Sequence, residues 1–150
     1  MTRLSDYDTS RTSEAVVMES HRITSKDVPE VRSILLSVAH PDFSYREGQN
    51  IGITVPGAQA FGHEQHFRLY TIANAPRETA EGEVEIELCV RRCFYIDEVS
   101  GEEYPGLASN FLCDARPGDR IAFTGPYGDA FIIPDDPETN LLMIGTGTGI

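Results

Sequence analysis

The sequence predicts an all-β fold, an antiparallel barrel or sandwich, interrupted by one helix. Six short apolar segments, separated by turn signals, follow one another within about 115 residues, the spacing of small antiparallel architectures. Only one segment has the texture of a helix. The chain's 150 residues fit one domain able to bury roughly 70% of the surface exposed when unfolded, so a real core can form.

Taken in order, residues 1–13, MTRLSDYDTSRTS, are polar and show neither period 2 nor period 3.6, and are expected to form a loose N-terminal tail. Strands are expected at EAVVMESHRI from Glu14, at VRSILLSVAH after the Ser25 to Pro29 turn, and at NIGITVPG after the turn at Gly48. FRLYTIAN (67–74), VEIELCVRR (84–92) and DRIAFTGPYG (119–128) supply three more. In VEIELCVRR, Val84, Ile86, Leu88 and Val90 share one face, while Glu85, Glu87, Cys89 and Arg91 share the other. The helix is expected over Ser109–Asp114, between Pro105-Gly106 and Pro117-Gly118, opened by a cap-like Ser or Asn. Pro134-Asp-Asp-Pro137 reads as a linker. NLLMIGTGTGI then reads as an apolar strand running into a glycine-rich turn, the opening of a βαβ nucleotide-binding unit. This divides the chain into a tail (1–13), a barrel domain (14–138) and the first strand of a truncated second domain (139–150).

Twelve Lys and Arg oppose 24 Asp and Glu, a net charge of −12. Such an excess of carboxylates repels polyanions, and no basic cluster interrupts it, so nucleic acid and anionic membrane surfaces are excluded as partners. No apolar run approaches the ~20 residues that span a bilayer. Cys89, Cys93 and Cys113 are an odd count with no signal-like N-terminus, which points to a soluble protein of the reducing cytoplasm. Three cysteines cannot supply the four thiolates of an iron–sulfur cluster. Cys89 and Cys93 lack the CxxC gap, and Cys93 and Cys113 are read as packing residues. His63 and His66 in HEQH have no second ligand pair at metal-binding spacing and are read as a loop.

Three segments carry chemistry. On a strand, Arg68 and Tyr70 point to one face about 7 Å apart, so a guanidinium can fork onto a phosphate while a ring stacks on a flat heterocycle. Alone, Arg68-Leu69-Tyr70-Thr71 reads equally as an ordinary strand with a surface arginine. The free N–H groups and dipole of the helix at Ser109, with Gly106 permitting close backbone approach, suit a pyrophosphate or simply make a capped helix. Cys89-Val90-Arg91 offers a soft side chain and a cation beside Glu85 and Glu87, or a solvated strand face.

Together these segments resemble the plant-type ferredoxin-NADP+ reductase family. RLYTIAN is similar to its flavin-binding R-x-Y-[ST] signature, and YREGQNIGI, ELCVRR, GLASNFLCDARPGD, TGPYG and LLMIGTGTGI match its other landmarks in the same order, over residues 14–150. The resemblance implies a six-stranded antiparallel Greek-key barrel with one capping helix, an FAD cofactor, and NADP(H) as cosubstrate. It implies that Arg68 pairs with the pyrophosphate, that Leu69 lies in the same signature, that Tyr70 stacks on the isoalloxazine, and that Thr71, where the family more often has Ser, stands near the redox-active edge. Cys89, Val90 and Arg91 would line the adenosine side, Tyr95 would stack on adenine, and Leu107, Ala108 and Ser109 would contact pyrophosphate. The HEQH loop would lie near the adenosine end. Thr148 would face the flavin and nicotinamide, and Thr71, Arg91 and Thr148 would contact NADP(H).

The implied activity is electron transfer between NADP(H) and ferredoxin, flavodoxin or another small carrier. The 150-residue piece alone is expected to bind FAD but to turn over poorly. Alternatives are the reductase component of an oxygenase and a binding-only flavin module. Ferredoxins are typically acidic and meet a basic docking face in this family, so a domain at −12 either concentrates its few arginines around the flavin or uses another acceptor.

Overall fold

A computed structural model describes residues 7–56, 65–129, 131–145 and 148, with Pro56 and Gln65 described in backbone only. All six expected strands are present: β1 (Thr12–Arg22), β2 (Val31–Val38), β3 (Asn50–Pro56), β4 (Gln65–Thr71), β6 (Val84–Arg91) and β9 (Arg120–Tyr127). Three short strands join them: β5 (Arg77–Glu78), β7 (Phe94–Ile96) and β8 (Glu103–Pro105). Among the described residues there is one helix, α1, covering Leu107–Asp114.

Strands β4-β3-β9-β1-β2-β6-β5 hydrogen-bond in that order as one sheet, and β7 pairs with β8 as a separate ribbon. Every named pairing is antiparallel. The sheet curls until the end of β4 meets β6, where Ile72 bridges Leu88 and the Ala73 N–H donates to Glu87 O at 2.8 Å. Alternation explains the curl. Val84, Ile86, Leu88 and Val90 of β6 face inward, with Ile34 and Leu36 of β2, Ile51 and Ile53 of β3, and Ile121 and Phe123 of β9, all buried in one apolar core. Phe43 packs edge-on against Phe123, ring centroids 5.4 Å apart. Tyr45, the one inward tyrosine of the loop before β3, donates to both Ala75 O (3.0 Å) and Glu85 O (2.9 Å), which satisfies its buried hydroxyl.

Three expectations are corrected. β1 begins at Thr12, inside the expected tail, because Thr12 and Ser13 pair with Thr124 and Phe123 of β9. The helix begins at Leu107, two residues before Ser109, with Gly106 as N-cap and no capping side chain. NLLMIGTGTGI forms no strand among its described residues, and Leu141, Leu142, Met143 and Ile144 are exposed. A strand apolar on both faces needs neighbours on both sides to complete its hydrogen bonds, and no described strand pairs with it. His63 lies outside the described residues.

Candidate flavin site

The site is assembled where the sheet curls shut. Helix α1 packs over β3, β4 and β6, with Leu112, Cys113 and Ala108 buried beneath it. An eight-residue helix is marginal alone, so tertiary contacts set both its existence and its direction. The Cys113 thiol reaches Val90 O at 3.9 Å, and burial pushes its pKa up to about 11.

The helix start is open. Gly106 caps it in an extended conformation (φ −66°, ψ 120°), with no side-chain hydrogen bond and no acidic residue in the first turn. Asn110 N–H donates back to Gly106 O at 3.0 Å. Among the described residues the N–H groups of Leu107, Ala108 and Ser109 find no acceptor. Three convergent donors at the positive end of a helix dipole form an anion site. The backbone is tightly approached at Gly106: a Cβ there would stand 3.0 Å from Ser109 Oγ and 3.2 Å from Cys93 O, so these neighbours would have to give slightly. The Ser109 hydroxyl is itself committed, accepting from Cys93 N–H (3.1 Å) and donating to Gly106 O (3.2 Å), so Ser109 can offer a ligand its backbone N–H rather than its side chain.

On β4, Tyr70 opposes Ile51 and Arg68 opposes Ile53 of β3, which sets both on the face that Ile51 and Ile53 present. Tyr70 is half-buried against the core, and desolvation pushes its pKa up to about 12. Arg68 is exposed, bonded only to Phe67 O at 2.9 Å, and forms no ion pair among the described residues. Leu69 and Thr71 take the opposite face, where the Thr71 hydroxyl donates to Asn50 Oδ1 at 2.7 Å. Arg68 and Tyr70 thus share one face of β4, a strand that α1 contacts. A flat half-buried ring, a guanidinium with no ion pair among the described residues and three N–H donors with no acceptor among them fit a flavin with a diphosphate tail.

The remaining expected residues are dispersed around this centre. Val90 is inward and buried, so a ligand could meet its backbone but not its side chain. Cys89 is half-buried on the outer face, its thiol pKa raised by burial and by Glu87, and Arg91 is exposed beyond it without an ion pair among the described residues. Tyr95 is exposed on the β7–β8 ribbon and stacked on Tyr104, ring centroids 5.6 Å apart. Thr148 is exposed in a turn with no hydrogen bond among the described residues. Cys93 is exposed and not the packing residue expected; its backbone, not its thiol, is tied to the helix start. His66 lies on β4, its pKa lowered by burial and by Arg68.

Sequence reasoning missed Arg92. It follows β6 and lays its half-buried guanidinium among Glu30 Oε2, Asn110 Oδ1 and Asp114 Oδ1, each at 2.8 Å. Asp114 and Glu30 hold it firmly in its charged form. A signal was present: in VEIELCVRR, position 92 falls in register with the apolar face, where an unpaired cation would be costly.

Comparisons with known proteins bear on the family and the fold. The family model for the oxidoreductase FAD-binding domain matches residues 15–132. Ferredoxin-NADP reductase leaf isozyme 1 of Arabidopsis thaliana is 38% identical over 129 residues, 86% of this chain and 36% of that protein. The ferredoxin-NADP reductase of Thermosynechococcus vestitus is 38% identical over 120 residues, 80% of this chain and 31% of that protein. The chain therefore spans about a third of the length of these relatives. Among solved structures, a Plasmodium falciparum ferredoxin-NADP+ reductase shares the fold at TM-score 0.61 and 20% identity, over 87% of this chain and 44% of that one. Amycolatopsis cytochrome P450 reductase GcoB aligns at TM-score 0.55 and 32% identity, over 87% of this chain and 32% of that one. With the match spanning the whole barrel and the helix that caps it, the chain belongs to the oxidoreductase FAD-binding domain family.

Proposed function

We propose that this chain is the FAD-binding module of a ferredoxin-NADP+ reductase-type oxidoreductase, passing electrons between NADP(H) and a small one-electron carrier. Bound FAD supplies the exchange between two-electron and one-electron chemistry, and the chain supplies binding and orientation. The observation that carries the reading is the set of N–H groups at Leu107, Ala108 and Ser109 that find no acceptor among the described residues, on a helix packed against the strand that carries Tyr70 and Arg68.

In this reading Tyr70 stacks on the isoalloxazine, Arg68 and the three N–H groups hold the diphosphate, and Thr71, fixed by Asn50, stands near the flavin edge. Cys89, Val90 (through its backbone) and Arg91 line the adenosine side, and the exposed face of Tyr95 receives adenine. Thr71, Arg91 and Thr148 meet NADP(H). Residues 14–138 constitute the flavin domain and 139–150 begin a nucleotide-binding domain. Three free thiols suit a reducing compartment such as the cytoplasm. Among the described residues no helix is long and apolar enough to cross a membrane.

The similarity to Amycolatopsis cytochrome P450 reductase favours a second reading, the reductase component of an oxygenase. The charge of −12 weighs the same way, since an acidic domain repels an acidic carrier. Quenching of FAD fluorescence on titration with the protein tests the shared core of both readings. Saturable quenching, weakened at least tenfold by Tyr70→Ala and by Arg68→Ala, is expected. No quenching, or quenching indifferent to both substitutions, overturns the assignment.

A further inference from the structure

We propose that Arg92 is a positioning residue for the diphosphate of the flavin nucleotide: it aims the start of α1 from behind without touching the ligand. This rests on the FAD-binding reading above and goes beyond it. Arg92 bonds one turn of the helix along its length, Asn110 through Nη1 and Asp114 through Nη2, and ties both through Nε to Glu30 at the entrance of β2, all at 2.8 Å. Its own N–H donates to Glu30 O at 2.9 Å.

The guanidinium also fixes which way the Asn110 amide faces. With Oδ1 accepting from Arg92, the amide nitrogen is turned to donate to Cys93 O and Gly106 O, both at 2.9 Å. Gly106 is the N-cap, and its carbonyl also accepts from Asn110 N–H and from the Ser109 hydroxyl. A path of hydrogen bonds thus runs from Arg92 through Asn110 to the residue that starts the helix. Leu112, Cys113 and Ala108 keep α1 docked on the barrel by apolar burial. Burial sets the docking but constrains rotation weakly; the directional, charge-assisted bonds of Arg92 set where the N–H groups of Leu107, Ala108 and Ser109 point.

The test is FAD affinity of the full chain, read by fluorescence quenching, with ADP as a competitor that carries the diphosphate but no flavin. Arg92→Gln is expected to weaken FAD about tenfold, the scale of one misdirected hydrogen bond to a charged group. ADP should weaken by a similar factor, while the flavin spectrum at saturation, which reports stacking on Tyr70, stays unchanged. Asn110→Ala keeps the guanidinium and its carboxylates and is expected to give the same selective loss; it carries the test if Arg92→Gln does not fold. Arg92→Lys should restore part of the affinity. FAD binding within twofold of the parent, an unaltered ADP competition, or a changed saturated spectrum would each overturn the proposal. A parent chain that binds neither FAD nor ADP would instead refute the flavin assignment itself.

Discussion

Gly52 is where the smallest possible side chain should do measurable harm. It sits in β3, opposite Leu69 of β4 and Thr124 of β9. A Cβ there would stand 2.1 Å from Cζ and 2.2 Å from Cε2 of Phe67, and 2.8 Å from Thr124 Oγ1. The Phe67 ring therefore lies directly on the glycine, and Gly52→Ala must push it aside. Phe67 immediately precedes Arg68 on β4, so the displacement is transmitted to the strand that carries Arg68 and Tyr70. Overpacking of this kind costs about 1 to 3 kcal/mol, which for a chain of this size lowers Tm by about 3 to 10 °C. Circular dichroism melts of Gly52→Ala, Phe67→Ala and the double variant would measure it. Phe67 is half-buried, so its truncation alone should cost about 1 to 2 kcal/mol. In the double variant the clash has no partner, and the two penalties should fail to add by about 1 kcal/mol or more. If Gly52→Ala melts within a degree of the parent, or if the penalties add, the ring-on-glycine packing is not what positions β4.

Other outcomes follow from the same coordinates. Tyr45→Phe should cost only about 0.5 to 1.5 kcal/mol in urea unfolding, because Asn74 Nδ2 also donates to both carbonyls that Tyr45 serves, Ala75 O and Glu85 O. Burial pushes the pKa values of Tyr45 and Tyr70 from 10 up to about 12. Both tyrosines thus hold their protons longer folded than unfolded, and stability present below pH 10 is lost as pH rises toward 12. The urea midpoint should fall across that window, less steeply in Tyr45→Phe. With a chromogenic disulfide reagent, Cys93 should react first, Cys89 more slowly and Cys113 only on unfolding, as their exposure dictates. Bound FAD should slow the Cys93 reaction, which mass spectrometry of the labelled sites would reveal.

The long strands were legible because apolar residues recur along them at alternate positions, most of them on a face turned to the core. The alternation of Val84, Ile86, Leu88 and Val90 is the core pattern itself. The β7–β8 ribbon was not, since Phe94–Ile96 and Glu103–Pro105 are exposed throughout, three residues each, and carry no inward face to betray them. The helix start was misplaced because a polar residue was sought for the cap, whereas the chain leaves Gly106 there and spends Ser109 on Cys93. Arg68, Tyr70 and the helix opening could be picked out as separate signals, but the contact of α1 with β4 depends on the closure of the sheet, which has no local signature. Arg92 was hidden by its neighbour: two adjacent arginines look alike in sequence, and only the parity of the strand separates Arg91, facing outward, from Arg92, turned against the helix.

The join between Ile72 and Leu88 has a thermodynamic consequence. β4 and β6 face each other across it with one bridge and one further backbone bond, against an eight-pair ladder between β2 and β6. Among the described residues it carries few backbone bonds and is supplemented by Asn74, which donates to Glu85 O and accepts from Glu87 N–H, and α1 contacts both strands. A ligand held by β4 on one side and by the helix on the other acts as a strap over this line. Amides flanking it should exchange with solvent by local opening in the free protein and become protected when the strap is in place. The stabilisation conferred by a bound flavin would thus be concentrated along this join.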